Sequence, residues 1–213
     1  MNEIEALRNE VISCKKCNLW RTRKNAVPGY GDPNATIMFI GEAPGATEDE
    51  EGKPFVGNAG KLLTKMIQEV LGLTRDQVYI TNLVKCRPPG NRDPTDEEII
   101  ACKDYLEREI SLVRPKLIVT LGNHSTSYIF KKANLPYSSI TRVRGKSYSV
   151  EILGIKITVF PTYHPAAALY NPKLQLELYN DFKRIRELLG IENKRVTLDV
   201  FFKADKDGSG DKK

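Results

Sequence analysis

TIMFIG, residues 36–41, is an apolar run closed by glycine that leads directly into GEAPGATEDEEGKPFVGNAG (41–60). A strand with one face in water alternates polar and apolar residues, whereas a strand covered on both faces reads as continuous hydrophobicity. Three further runs share this character: VYITNLV (78–84), LIVTLG (117–122) and IKITVFPT (155–162). Helical patterns lie between and after them. Residues 57–71 place Leu62, Leu63, Met66, Ile67, Val70 and Leu71 on one stripe. Residues 95–113 open with TDEE after Pro94, where Thr95 and Glu98 form a capping box. Residues 172–189 repeat Leu174, Leu178, Phe182, Ile185 and Leu189. Strand alternating with helix predicts an α/β fold, a three-layer α/β/α domain with a central four-stranded, mainly parallel sheet. Residues 1–195 are expected to form this single domain, with no internal repeat.

In open parallel sheets, ligands bind outside the carboxyl ends of the strands. The unusual residues fall there: Gly41-Glu42, Asn82, Gly122-Asn123-His124 and Thr162-Tyr163-His164. The 41–60 loop has the glycines of a phosphate cradle, yet it sets Glu42, Glu48, Asp49, Glu50 and Glu51 against one base, Lys53. A phosphate site collects positive potential. This loop is built for something else.

The chain has 213 residues, 40% apolar and 28% charged, which is the balance of a soluble globular domain. No apolar run reaches the roughly 18 residues that span a bilayer. The N-terminal MNEIEALRNEV reads as an acidic amphipathic helix rather than a signal peptide, which places the protein in the cytoplasm. A formal charge of +6 is compatible with a polyanionic partner. Glutamine is scarce beside abundant Lys, Arg and Glu, a thermophile's bias. The tail 203–213 is charged, without an apolar anchor, and is expected to be disordered. Its DKDGSG imitates the start of a calcium loop, but the twelfth ligand would fall past the last residue.

Four cysteines remain: Cys14 and Cys17 in a C-x2-C pair, Cys86 just after a strand, and Cys102 on the capping-box helix. Helical spacing turns Cys14 inward with Ile4, Leu7 and Val11, and Cys102 inward with Ile99, Leu106 and Ile110. Three separate elements thus point thiols at one place, the outline of a four-thiolate metal site. Both zinc and a [4Fe-4S] cluster are chemically allowed.

Taken together, CKKC (14–17), GEAPGATEDEEGKPFVGNAG (41–60), TNLVKCRPPGNRDPTDEEIIAC (81–102) and HPAAAL (164–169) resemble the family 4 uracil-DNA glycosylases, the iron–sulfur type of thermophilic bacteria and archaea, across residues 1–190. The resemblance implies a [4Fe-4S] cluster on Cys14, Cys17, Cys86 and Cys102. It also implies hydrolysis of the bond between uracil and deoxyribose in DNA, a step of base excision repair. Phe55 becomes the stacking platform for the base, although its sequence context alone favours a core plug. Asn82 becomes the reader of uracil N3–H and O4, and His164 the donor to O2 as negative charge develops. Glu42 lies beside the base and the attacking water, in a wall begun by Gly41 and continued by Ala43. Ala43 stands where the best-known glycosylase family has an aspartate, which leaves the activation of water to be explained. Glu48 is placed against uracil C5, where it would reject thymine's methyl.

For DNA, the same resemblance makes HPAAALYNP the loop that enters the minor groove, with Ala168 and Leu169 as the wedge. Arg87, Arg92, Arg142, Arg144 and Lys146 are candidates for backbone contacts, and His124 is read as structural. The implied partner is uracil-containing DNA, met as a monomer, with the replication sliding clamp as a candidate protein partner. Two other readings stay open: a glycosylase of broader base range (hypoxanthine, xanthine, mismatched thymine), and a zinc-stapled DNA-binding module without catalysis.

Overall fold

The four apolar runs form the four central strands of the sheet. The computed structural model describes residues 2–191. In chain order the elements are α1 (Glu3–Ser13), β1 (Tyr30–Gly31), β2 (Ile37–Gly41), α2 (Ala46–Glu51), α3 (Asn58–Lys65), β3 (Tyr79–Asn82), α4 (Asp96–Val113), β4 (Leu117–Leu121), α5 (Asn123–Lys132), α6 (Ile140–Val143), β5 (Tyr148–Ile152), β6 (Ile155–Thr162), α7 (Pro165–Ala168) and α8 (Pro172–Leu188). A π-helical turn, Met66–Leu71, prolongs α3. The tail and its calcium-loop imitation lie outside the described residues. No described helix is long and apolar enough to cross a membrane.

The sheet order is β1-β3-β2-β4-β6-β5. β3, β2, β4 and β6 run parallel; β1 and β5 pair antiparallel at the two edges. The expected four strands are therefore corrected to six. Neither edge strand has a continuous apolar run. β1 has only two residues, and β5 alternates half-buried and exposed positions before ending on buried Ile152. Edge strands of this kind need no second covered face.

Alternate residues of β2 feed the two cores. Met38 and Ile40 join Leu7, Leu106 and Phe130 beneath α1, α4 and α5. Ile37 and Phe39 join Leu63, Ile67 and Phe182 beneath α3 and α8, and Phe39 stacks on Phe182 with ring centres 5.8 Å apart. The predicted stripe on 57–71 is largely buried: Leu63, Met66, Ile67, Val70 and Leu71 all lie in this second core. α4 starts as its capping box requires, with Glu98 N–H donating to Thr95 Oγ1 and Thr95 N–H donating to Glu98 Oε2.

Candidate active site and thiol cluster

The carboxyl ends of β2, β3 and β6 open onto a cavity of about 380 Å³ whose walls include Glu42, Glu48, Phe55, Asn82, Asp93 and His164. Ala43 also lines it. Six of these seven, all but Asp93, were singled out from sequence as base-contacting residues, and the fold brings them together.

Phe55 is held by an unusual arrangement. Its φ is +53°, a left-handed conformation that costs a bulky residue energy and persists only when its surroundings enforce it. The Arg75 guanidinium supplies that enforcement, donating to the carbonyls of Phe55 (2.8 Å) and Pro54 (2.6 Å). Gly60 in α3 lies so close that a Cβ there would overlap the Phe55 carbonyl, and a Cβ on Gly41 would come within 2.5 Å of the Phe55 ring. These glycines admit an aromatic ring rather than a phosphate. The acidic loop contributes to the same end. Glu48 accepts from Val56 N–H (2.9 Å), Gly57 N–H (2.8 Å) and Gly45 N–H (3.2 Å), tying the start of the loop to the segment after Phe55.

Asn82 is 2% exposed at the end of β3. Its side-chain Oδ1 is buried and has no hydrogen-bond partner among the described residues. An unpaired buried acceptor is costly, and native structures keep few of them. On the other side of the cavity, the His164 ring lies 5.6 Å from that of Phe55, tilted by 31°. Nδ1 of His164 accepts from Ala166 N–H at 3.1 Å, capping α7. Burial pushes the imidazole down to about 4, against a smaller opposing effect of Glu48. At neutral pH the ring is therefore uncharged and, with Nδ1 used as an acceptor, carries its proton on Nε2.

Burial raises the Glu42 carboxyl; His124 opposes the shift and Asp93 adds to it. His124, read from sequence as structural, does not line the cavity but lies beside two of its acids. Its Nε2 lies 3.2 Å from Asp93 Oδ2 and 3.8 Å from Glu42 Oε2. Sequence reading missed Asp93 and Arg75, and it noticed His124 at a strand end but read it as structural. Asp93 follows the N-R of GNRDP within a motif already singled out, whereas nothing local marks Arg75.

The cysteines converge as their spacing predicts. Cys86 and Cys102 are buried, and Cys14 and Cys17 pack against the same core cluster. Burial pushes Cys102 up to about 12 and raises Cys86 and Cys17 as well, each opposed by a nearby N–H donor or cation. Arg23 Nη1 lies 3.0 Å from Cys86 Sγ, and Lys85 N–H donates to Cys102 Sγ at 3.3 Å.

Of the residues expected at DNA, Ala168 is fully buried, Leu169 half-buried and Tyr170 89% exposed, so the tip of that loop is Leu169-Tyr170. Arg142 and Lys146 are exposed, and Arg87 is half-exposed with its Nε on Asn91. Arg92 and Arg144 are engaged by carboxylates, Arg92 by Glu98 and Arg144 by Asp181, in bidentate pairs.

This fold, with its cavity at the carboxyl ends of the strands, is matched over residues 28–189 by the family model of the uracil DNA glycosylase superfamily. A type-4 uracil-DNA glycosylase of Sulfurisphaera tokodaii is 62% identical over 213 residues, covering 100% of this chain and 96% of the relative. One of Saccharolobus solfataricus is 59% identical over 212 residues, covering 100% and 95%. A type-5 uracil-DNA glycosylase of Pyrobaculum aerophilum is 31% identical over 173 residues, covering 75% and 74%. The chain belongs to the uracil-DNA glycosylase superfamily and, within it, to the type-4 group.

Proposed function

We propose that the cavity receives a uracil flipped out of DNA and that water hydrolyses its N-glycosidic bond, leaving an abasic site. The observation that carries this reading is the unpartnered Oδ1 of Asn82 in a cavity walled by an aromatic ring. That acceptor suits uracil N3–H, and the amide NH2 suits O4; cytosine presents an acceptor and a donor instead. Phe55 is the stacking surface, and Glu48, held by the backbone N–H groups of Gly45, Val56 and Gly57, is the rigid wall that would meet a methyl on C5.

As the C1′–N1 bond breaks, its electron pair moves to the base and charge collects on O2. The Nε2–H of His164 faces that charge without surrendering its proton. Water attacks C1′ and its proton leaves to solvent or to Glu42, whose carboxylate also opposes the positive charge on the sugar. With Ala43 in place of an acid, Glu42 is the carboxylate nearest this role, with Asp93 and His124 around it. Among the described residues no lysine lines the cavity, and we assign no Schiff-base step.

Four cysteines brought to one core cluster, in a chain of the type-4 group, support a [4Fe-4S] cluster on Cys14, Cys17, Cys86 and Cys102. Such a cluster would cross-link α1, α4 and the segment after β3. We take residues 1–195 to act as one domain, a cytoplasmic monomer that inserts Leu169-Tyr170 where the base has left and meets phosphates with Arg87, Arg142 and Lys146. The sliding clamp remains its candidate protein partner.

Two variants test the pocket. Asn82→Asp is expected to lose discrimination against cytosine in oligonucleotide assays; unchanged selectivity would remove Asn82 as the reader. Gly60→Ala is expected to push Phe55 off its position and weaken inhibition by free uracil roughly tenfold, since base–aromatic stacking contributes about 1–3 kcal/mol. Parental inhibition by uracil in a folded Gly60→Ala protein would show that Phe55 is only a plug.

A further inference from the structure

We infer that Lys85 and Glu109 form a buried strut that orients Asn82, making both positioning residues for base recognition; this rests on Asn82 as the reader proposed above. Both side chains are 1% exposed and their charges meet at 2.7 Å. The ammonium uses all three protons, on Thr81 Oγ1 (2.5 Å), the backbone carbonyl of Asn82 (2.8 Å) and Glu109 Oε2. Glu109 is equally occupied. Oε2 accepts a second bond from the Thr81 hydroxyl (2.8 Å), and Oε1 accepts from Gly29 N–H (3.0 Å) and the Tyr79 hydroxyl (3.4 Å). The network is closed and does not line the cavity.

A buried ion pair of this kind is a poor source of stability. Desolvating two charges cancels much of their attraction, and apolar residues of similar volume often do as well or better. What the pair adds is direction. Asn82 is the last residue of β3 to pair with β2, opposite Gly41. Its Oδ1 has no partner of its own among the described residues, so its aim depends on the peptide that carries it. Lys85 pins that peptide through the carbonyl. The other end of the strut is fixed to α4, the helix that also carries Cys102, and the Lys85 backbone N–H is bonded to the Cys102 sulfur. Base reader and thiol cage thus share one rigid connection three residues long.

The test is the apolar double variant Lys85→Met/Glu109→Leu in the full-length, cluster-loaded protein. Four quantities are measured: thermal midpoint, visible spectrum, inhibition constant for free uracil, and KM and kcat on oligonucleotides carrying uracil or cytosine. The midpoint is expected at or above the parent's with the visible spectrum kept, while uracil inhibition weakens about tenfold and discrimination against cytosine falls, as for a coupling between contacting residues. Parental uracil affinity and selectivity in this folded variant would reduce the pair to packing and overturn the inference. If the double variant does not accumulate, Lys85→Arg keeps a cation for Glu109 but replaces the compact ammonium on the Asn82 carbonyl; parental uracil affinity there is equally fatal. Asn82→Ala separates the two levels. Parental uracil inhibition in Asn82→Ala ends the reader assignment itself, whereas loss there with parental inhibition in the strut variants ends only the strut.

Discussion

His164→Ala is expected to slow single-turnover release of uracil by at least two orders of magnitude while leaving the thermal midpoint nearly unchanged. The basis is the fixed geometry of a neutral donor. Ala166 N–H occupies Nδ1, so the ring cannot turn its other face to the base without giving up the cap of α7. Removing one preorganised donor to a developing oxyanion typically costs about 100- to 1000-fold in rate. The loss should fall on kcat rather than KM, because the ground-state carbonyl gains less from the bond than the anion does. A decrease of less than about fivefold would take His164 out of the mechanism.

The pH dependence follows with a definite sign. The folded state holds the imidazole down to about 4, below its value of about 6.5 in an unfolded chain. The neutral donor is therefore present throughout the neutral range, and the His164-dependent part of the rate should stay flat from about pH 8 to about pH 5. Below pH 6.5 the unfolded chain binds a proton that the folded one refuses, so stability falls towards pH 4 and levels out beneath it. His164→Ala should flatten that part of the stability profile.

How much of this was legible in the sequence varies with the range of the interaction. Buried parallel strands are marked by local composition, so β2, β3, β4 and β6 could be read directly, together with the polar residues at their ends that build the cavity. Edge strands lack that signal: β1 has two residues, and β5 is half exposed. The capping box of α4 lies within four residues and was readable, whereas the clamp on Phe55 was not. Arg75 reaches it from twenty positions away and looks like any other basic residue of a connecting segment. For the same reason Arg92 and Arg144 looked free in sequence; only the fold brings Glu98 and Asp181 to them. His124 acquires its place from Glu42 and Asp93, on two other segments. Lys85 was visible as a lone charge inside the run TNLVKC (81–86), but its partner is 24 residues on.

The acids of the 41–60 loop make sense on the same physical grounds. Glu48 holds backbone N–H groups, and Asp49 is buried with its Oδ1 on Lys24 N–H and Asn25 N–H. Glu50 pairs with exposed Lys24. The loop uses most of its carboxylates on its own backbone and on the neighbouring segment, and it presents to the cavity an aromatic ring and two acids, Glu42 and the backbone-held Glu48.

Cys86→Ser should abolish the brown colour of the purified protein and lower its thermal midpoint by about 8–16 °C, taking a cross-link between distant segments to contribute about 4 kcal/mol. Serine keeps the size of the side chain but offers no thiolate, and it also removes the sulfur on which the Arg23 guanidinium rests. Burial, which pushes the Cys17 and Cys102 thiols up, would favour their protonated forms once the cluster is lost. Glycosylase activity should fall along with colour, because Asn82 lies four residues before Cys86, and Pro88, Asn91 and Asp93 of the cavity wall follow it. The parent tests the kind of centre: it should bind iron and sulfide, and it should not yield a colourless, fully stable zinc form on reconstitution with zinc alone. Full iron content in Cys86→Ser, or a parent stabilised equally by zinc alone, would show that the cage had been assigned the wrong occupant.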